Sequence, residues 1–350
     1  MDDLIKDIVA IIGDYHHDLG SDFQMNDAHV LGWVNQFDVM DREFILTELL
    51  HLLTQDIYVS KKKAKQILLD FIKKACSYFG YDNIEVFLRD TAFLELQPKG
   101  KSQDLLLALL DEVLQENYQV SLNITATISQ KQIIYLDDVL ATGKTFRLNM
   151  KTYFSENDNL AKLKEKKIKF LAYFLCLHSW GLNNVRYSLK KDMNDDLFMN
   201  KASFKVAGKF IIENNITEIG QKLNLLYPQH NSDKFDEYLE SLNFDDKKRA
   251  YRNDNQPLAE EFFTTPQNRE RLETIFMQKG IEIIKMIQEN KLRLNHRPLG
   301  KTYPTYRTFG TGTMFFTWRN ISNTCPIVLW WDNIAHNWKG LFPLNKRGII

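Results

Sequence analysis

Residues 133 to 145 read IIYLDDVLATGKT. The opening run, Ile133, Ile134, Tyr135 and Leu136, suits a strand buried on both faces. Two adjacent carboxylates, Asp137 and Asp138, follow it, and then a small turn of Ala141, Thr142, Gly143, Lys144 and Thr145. Open α/β sheets place their ligands beyond the C-terminal ends of strands. Gly143 has no Cβ to keep an anion away from backbone N–H groups. A helix starting near Thr145 would turn its partial positive charge toward the same point, and the Thr142 and Thr145 hydroxyls add donors. Acids beside a phosphate cradle would repel phosphate on their own. They make sense if they hold sugar hydroxyls, directly or through Mg²⁺. The plainer alternative is a strand followed by a capped helix, its acids merely favouring the helix N-terminus.

GKT is also the ending of a Walker A loop, G-x-x-x-x-G-K-[ST]. Asp138 stands five residues before Gly143, and Glu95 five before Gly100 in the other such ending, Gly100-Lys101-Ser102. Neither is a P-loop. The segment QPKGKSQ, residues 97–103, reads either as a strand-turn-helix with Ser102 as N-cap or as a second anion loop. In the second reading Gly100, Lys101 and Ser102 hold pyrophosphate, Lys101 neutralising charge and backbone amides donating.

Outward from this centre, apolar runs alternate with helical stripes. FLEL near residue 93, QIIYLDD, KFLAYFLCL and FKVAGKFII read as strands, and SQDLLLALLDEVLQE as a helix between the first two. Such alternation predicts a largely parallel sheet covered on both faces. The first 80 residues read as helical, with Ser60 as an N-cap, Ile67, Leu68, Phe71, Ile72 and Ala75 on one face, and Gly80 as the stop. Residues 215–295 return to helix with polar connections, Thr265-Pro266 opening one helix. After Pro298, TFGTGTMFFTW and CPIVLWWDN read as two extended segments with a tight loop.

The chain has 350 residues, 45 basic against 45 acidic, so no overall field recruits a polyanion and any such partner needs a local patch. Lys61, Lys62, Lys63 and Lys65, and Lys162, Lys164, Lys166, Lys167 and Lys169, are the candidates, each alternatively a solvated surface. Three scattered cysteines, Cys76, Cys176 and Cys325, give neither a disulfide framework nor a zinc knot. With an acidic start and no apolar run of membrane length, the expectation is a cytoplasmic protein without membrane contact. His16-His17 suits a metal poorly, because helical neighbours face different ways. His178-Ser179 follows the third strand at its ligand end. Trp330, Trp331 and Trp338 offer base stacking against a structural alternative, and Arg307, Thr311 and Thr313 are further candidate contacts.

The 133–145 stretch resembles the phosphoribosyl-pyrophosphate (PRPP) signature of type I phosphoribosyltransferases, with Tyr135 departing from the usual aliphatic. That resemblance implies that Asp137 and Asp138 contact the ribose hydroxyls, directly or with Mg²⁺, and that residues 141–145 hold the 5′-phosphate. W-x-x-Q-F from Trp33 to Phe37, the QPKGKSQ turn and the ending NTCPIVLWW…NWKGLFPLNKR resemble the phosphoribosyltransferase-like proteins of bacterial conflict systems. The wider resemblance covers residues 1–180 and 296–346 and implies an antiphage effector, in some relatives beside a retron reverse transcriptase with its RNA or DNA product. The expected fold is α/β: a type I phosphoribosyltransferase-like core at 86–215 with a mostly parallel sheet. A helical region at 1–85, a helical insertion at 216–297 and C-terminal strands at 298–350 completing the core surround it. The expected activity is transfer or cleavage of a ribosyl-phosphate bond in PRPP or a nucleotide. The alternative is a non-catalytic nucleotide sensor or scaffold subunit of a reverse transcriptase–nucleic acid complex.

Overall fold

The computed structural model describes residues 1–19, 23–122, 130–215, 222–230, 233–242, 249–288, 292–293 and 296–344. Residues 243–248 of the expected polar connection and the last residues of the C-terminal signature lie outside these. Two compact units are present, one of residues 62–211 and one of residues 1–61 with 212–350. This partition differs from the boundaries drawn at 85, 215 and 297.

The 62–211 unit is built on a four-stranded, all-parallel sheet, β1 (Thr91–Leu94), β2 (Gln132–Leu140), β3 (Lys169–His178) and β4 (Phe204–Ile212), in that spatial order. The apolar runs become strands because both faces are covered. Ile133 and Tyr135 of β2 and Phe170, Ala172 and Phe174 of β3 share one cluster with Phe146, Met150, Val185 and Leu189. The last four come from α3 (Lys144–Ser155) and α4 (Ser179–Met193). On the other face Tyr173 stacks on Phe71 of α1 (Lys61–Phe79), rings 4.1 Å apart. Each large side chain withdrawn from water in this way stabilises by about 1.5–3 kcal/mol before ordering costs. The apolar stripe of α1 is buried at Ile67, Leu68, Phe71, Ile72 and Ala75, and Gly80 ends the helix at φ +84. The Lys61 N–H at its start is taken by the distant Asp14 carboxylate at 2.8 Å.

In the other unit the helices Asp2–Ile12, Asp27–Val34, Val39–Leu52 and Pro266–Met286 dominate. Thr265 caps the last through the Asn268 N–H, at 3.0 Å, with Pro266 at the first position as expected. The C-terminal strands do not join the four-stranded sheet. Phe316–Thr317 pairs in parallel with Tyr58–Val59, and Gly312–Thr313 pairs antiparallel with Leu225–Leu226. CPIVLWW is not extended either, because Ile327–Trp330 forms a helical turn after Pro326. The Trp33 and Trp338 indoles both donate to the Val328 carbonyl of that turn, at 3.0 and 3.2 Å, satisfying it inside the core. A buried charge network, Arg252–Glu273–Arg269–Glu260, ties the long helix to the backbone of Leu223, Leu225 and Tyr227.

Two glycines test the packing. A Cβ on Gly181 would sit 2.0 Å from the Ala141 carbonyl oxygen, so Gly181→Ala should destabilise by on the order of 2 kcal/mol or more. Gly32 lies in a helix with open space around it, so Gly32→Ala should stabilise by about 0.5–1 kcal/mol. Urea denaturation of the two variants measures both effects, and equal, small shifts would contradict this packing.

Candidate functional site

Side chains alternate along β2, so Asp137 continues the face of Ile133 and Tyr135 and emerges where that apolar layer ends. Asp138 turns to the opposite side, half-buried, its Oδ1 accepting the Val139 N–H at 2.6 Å. The chain then reverses through Gly143 at φ +75 into α3. A Cβ on Gly143 would lie 2.2 Å from Val185 Cγ2 and 2.9 Å from the Gly181 carbonyl oxygen. Glycine is therefore required here by the backbone conformation and by the approach of α4, not only to open amides to a ligand. As the N-cap of α3, Gly143 offers no side-chain acceptor, and the first turn of α3 carries no acid. That end keeps its partial positive charge uncompensated from within the helix.

In front of it lies a cleft of about 140 Å³, lined by Asp137, by Val139 through Phe146, and by Phe174 across the sheet. All five turn residues, Ala141, Thr142, Gly143, Lys144 and Thr145, thus share one cleft with Asp137. Lys144 and Thr145 are exposed. Asp138, Gly100, Lys101 and Ser102 are not part of the lining. Arg147, one turn into α3, is committed to Asp192 of α4 through contacts of 2.7 and 2.8 Å.

Asp137 is held by four donors. Oδ1 accepts from the Ser102 hydroxyl at 2.8 Å and the Asp138 N–H at 2.9 Å. Oδ2 accepts from the Gln97 amide at 2.5 Å and the Tyr135 hydroxyl at 3.2 Å. The Tyr135 hydroxyl itself accepts from Gln97 and Asn149, both at 3.1 Å. The departure of Tyr135 from an aliphatic is thereby explained: it delivers a hydroxyl to the acid two residues on. Burial pushes the Asp137 carboxyl up to about 7, and the neighbouring charge of Asp138 adds to this. The Ser102, Asp138 and Gln97 donors pull the other way and do not win.

Part of the 97–103 turn's donor capacity is already taken up by the protein. Its Gly100 N–H donates to Asp104 and its Lys101 N–H to the Pro98 carbonyl, while the Leu96 and Gln97 N–H groups both reach Gln103 Oε1. Lys99 is paired with Glu95 and Asp104. The lysine patches are partly spent too: Lys65 sits 2.7 Å from both Glu112 and Glu116, Lys164 pairs with Asp195, and Lys167 with Glu165. His178 is fully buried at the end of β3, its Nε2 without a partner among the described residues, and burial pushes it down to about 4. It does not line the cleft. His16 is buried in a stack with Tyr15, while His17 is exposed. Trp330, Trp331 and Trp338 are buried with their indole N–H groups bonded, which removes the base-stacking reading. Thr311 and Thr313 are buried, and Arg307 lies exposed over Tyr306. The three cysteines are buried free thiols.

The pH dependence of stability follows from Asp137. With its folded value raised to about 7, the native state keeps a proton that the unfolded chain has already released, and stability falls as pH rises toward 7. Asp137→Asn should flatten that fall, sparing on the order of 3 kcal/mol between pH 5 and 8. Denaturation curves at several pH values measure it, and parallel pH profiles for variant and wild type would contradict it.

No described helix is long and apolar enough to cross a membrane. No curated protein and no solved structure matches the chain. The PRTase-CE family model matches residues 30–344, a span that includes the acid strand, the turn and the C-terminal signature up to Leu344. The chain belongs to the PRTase-CE family and is a phosphoribosyltransferase-like protein.

Proposed function

We propose that this protein binds PRPP or a nucleotide in the 137–146 cleft and transfers or cleaves a ribosyl-phosphate bond. The observation that carries the reading is the meeting of Asp137 with residues 141–145 before a helix start whose first turn carries no acid and whose Lys144 N–H has only the Thr142 hydroxyl, at 3.3 Å, as acceptor. The 5′-phosphate takes the turn, receiving N–H groups and the hydroxyls of Thr142 and Thr145. The ribose lies toward Asp137. As the ribosyl centre becomes oxocarbenium-like, its C1–O bond to pyrophosphate breaks, pyrophosphate leaves with the electron pair, and an acceptor nucleophile or water forms the new bond to C1, while Lys144 and the turn amides neutralise the 5′-phosphate.

In this reading Mg²⁺ arrives with the ligand rather than resting on the acids, because the acceptor positions of Asp137 are filled by protein donors and Asp138 turns away from the cleft. Such an ion, carried by a diphosphate, would supply charge neutralisation. The signature shared with conflict-system proteins supports an effector role in antiphage defence, in the cytoplasm, beside a reverse transcriptase and its nucleic acid. The saturation of Asp137 also favours a second reading, a sensor that binds the nucleotide without turnover.

Calorimetry with PRPP and Mg²⁺, followed by an assay for PRPP consumption, separates these readings. Lys144→Ala combined with Thr145→Ala should weaken binding by roughly tenfold or more with little change in melting temperature. Binding without consumption leaves the sensor. Failure of PRPP, ribose 5-phosphate and nucleotides to bind rejects both.

A further inference from the structure

A carboxylate offers about four acceptor positions, and at Asp137 the protein fills all four. Two of those donors, Gln97 and Ser102, come from one turn, whose Gln97 and Gly100 N–H groups are taken by the side chains of Gln103 and Asp104. Neither lines the cleft, whereas Asp137 does. A ligand hydroxyl can reach Asp137 only by taking a position that a protein donor now occupies.

We propose that Ser102, with Gln97, sets the affinity of the cleft by competing with the ligand's sugar hydroxyl for Asp137. The 97–103 turn is then a clamp on the acid and not a pyrophosphate cradle, and occupation of the cleft releases it. The inference rests on the ribosyl reading of the cleft. Of the four donors, Tyr135 and the Asp138 N–H belong to β2 itself and cannot leave without distorting the strand, so exchange falls to the turn. The Ser102 hydroxyl is the closest protein counterpart of a ribose hydroxyl in chemistry, a single O–H on a saturated carbon.

Competition and mere support predict opposite signs. Ser102→Ala frees an Asp137 lone pair and should tighten binding of PRPP with Mg²⁺ by roughly tenfold, whereas Ser102→Thr, which keeps the hydroxyl, should bind as wild type does. A supporting role would weaken binding in Ser102→Ala instead. In wild type, deuterium exchange should rise at residues 96–103 on adding PRPP while it falls at residues 141–146, a readout that does not depend on how the variant folds. Normal binding by wild type with unchanged or weaker binding by Ser102→Ala, or with no rise in exchange at 96–103, overturns this inference alone. Failure of wild type to bind any sugar phosphate overturns the ribosyl reading, and this inference with it.

Discussion

A single carboxylate, buried at the end of a parallel strand and enclosed by four donors, is the constraint around which the 62–211 unit is arranged. Putting Asp137 there costs desolvation, which pushes its pKa up. The fold meets it by bringing Gln97 and Ser102 from before and at the start of one helix, Tyr135 from the same strand, and Asn149 from α3 onto one small polar spot. Around that spot the sheet is apolar on both faces. The polarity of β2 is therefore concentrated where the cleft opens, apart from the buried Gln132 at its start.

The turn after the acids obeys a second constraint, the close approach of α4. Gly143 lies against Val185 and the Gly181 carbonyl, and Gly181 against the Ala141 carbonyl, so neither position leaves room for a Cβ. This contact fixes the turn against α4 and holds the start of α3 at the cleft. Packing and anion binding thus call for the same residue at 143. A glycine in a phosphate-like motif cannot be assigned to the ligand alone.

Much of this was legible in the sequence. The four strands of the sheet, the helix ending at Gly80 and the Thr265-Pro266 helix start follow from periodicity and capping chemistry, which are local. The cleft at Asp137 and the 141–145 turn was readable because strand, acid and turn are contiguous. What depended on distant partners was not readable. QPKGKSQ had the composition of an anion loop, and only the fold shows that its Gln97 and Gly100 N–H groups are taken by the Gln103 and Asp104 side chains. CPIVLWW had strand composition, but burial of the Val328 carbonyl under two tryptophans favours a helical turn. Tyr135 stood out as a departure, and its hydroxyl needed Gln97, Asn149 and Asp137 in place to acquire a reason.

The central claim is that the start of α3 and its preceding turn form an anion site beside Asp137. Backbone amide NMR during titration with ribose 5-phosphate addresses it residue by residue. The account predicts the largest shifts at Gly143, Lys144, Thr145 and Phe146, accompanied by Asp137 and Asp138. Shifts centred elsewhere, or none at saturating ligand, would contradict it.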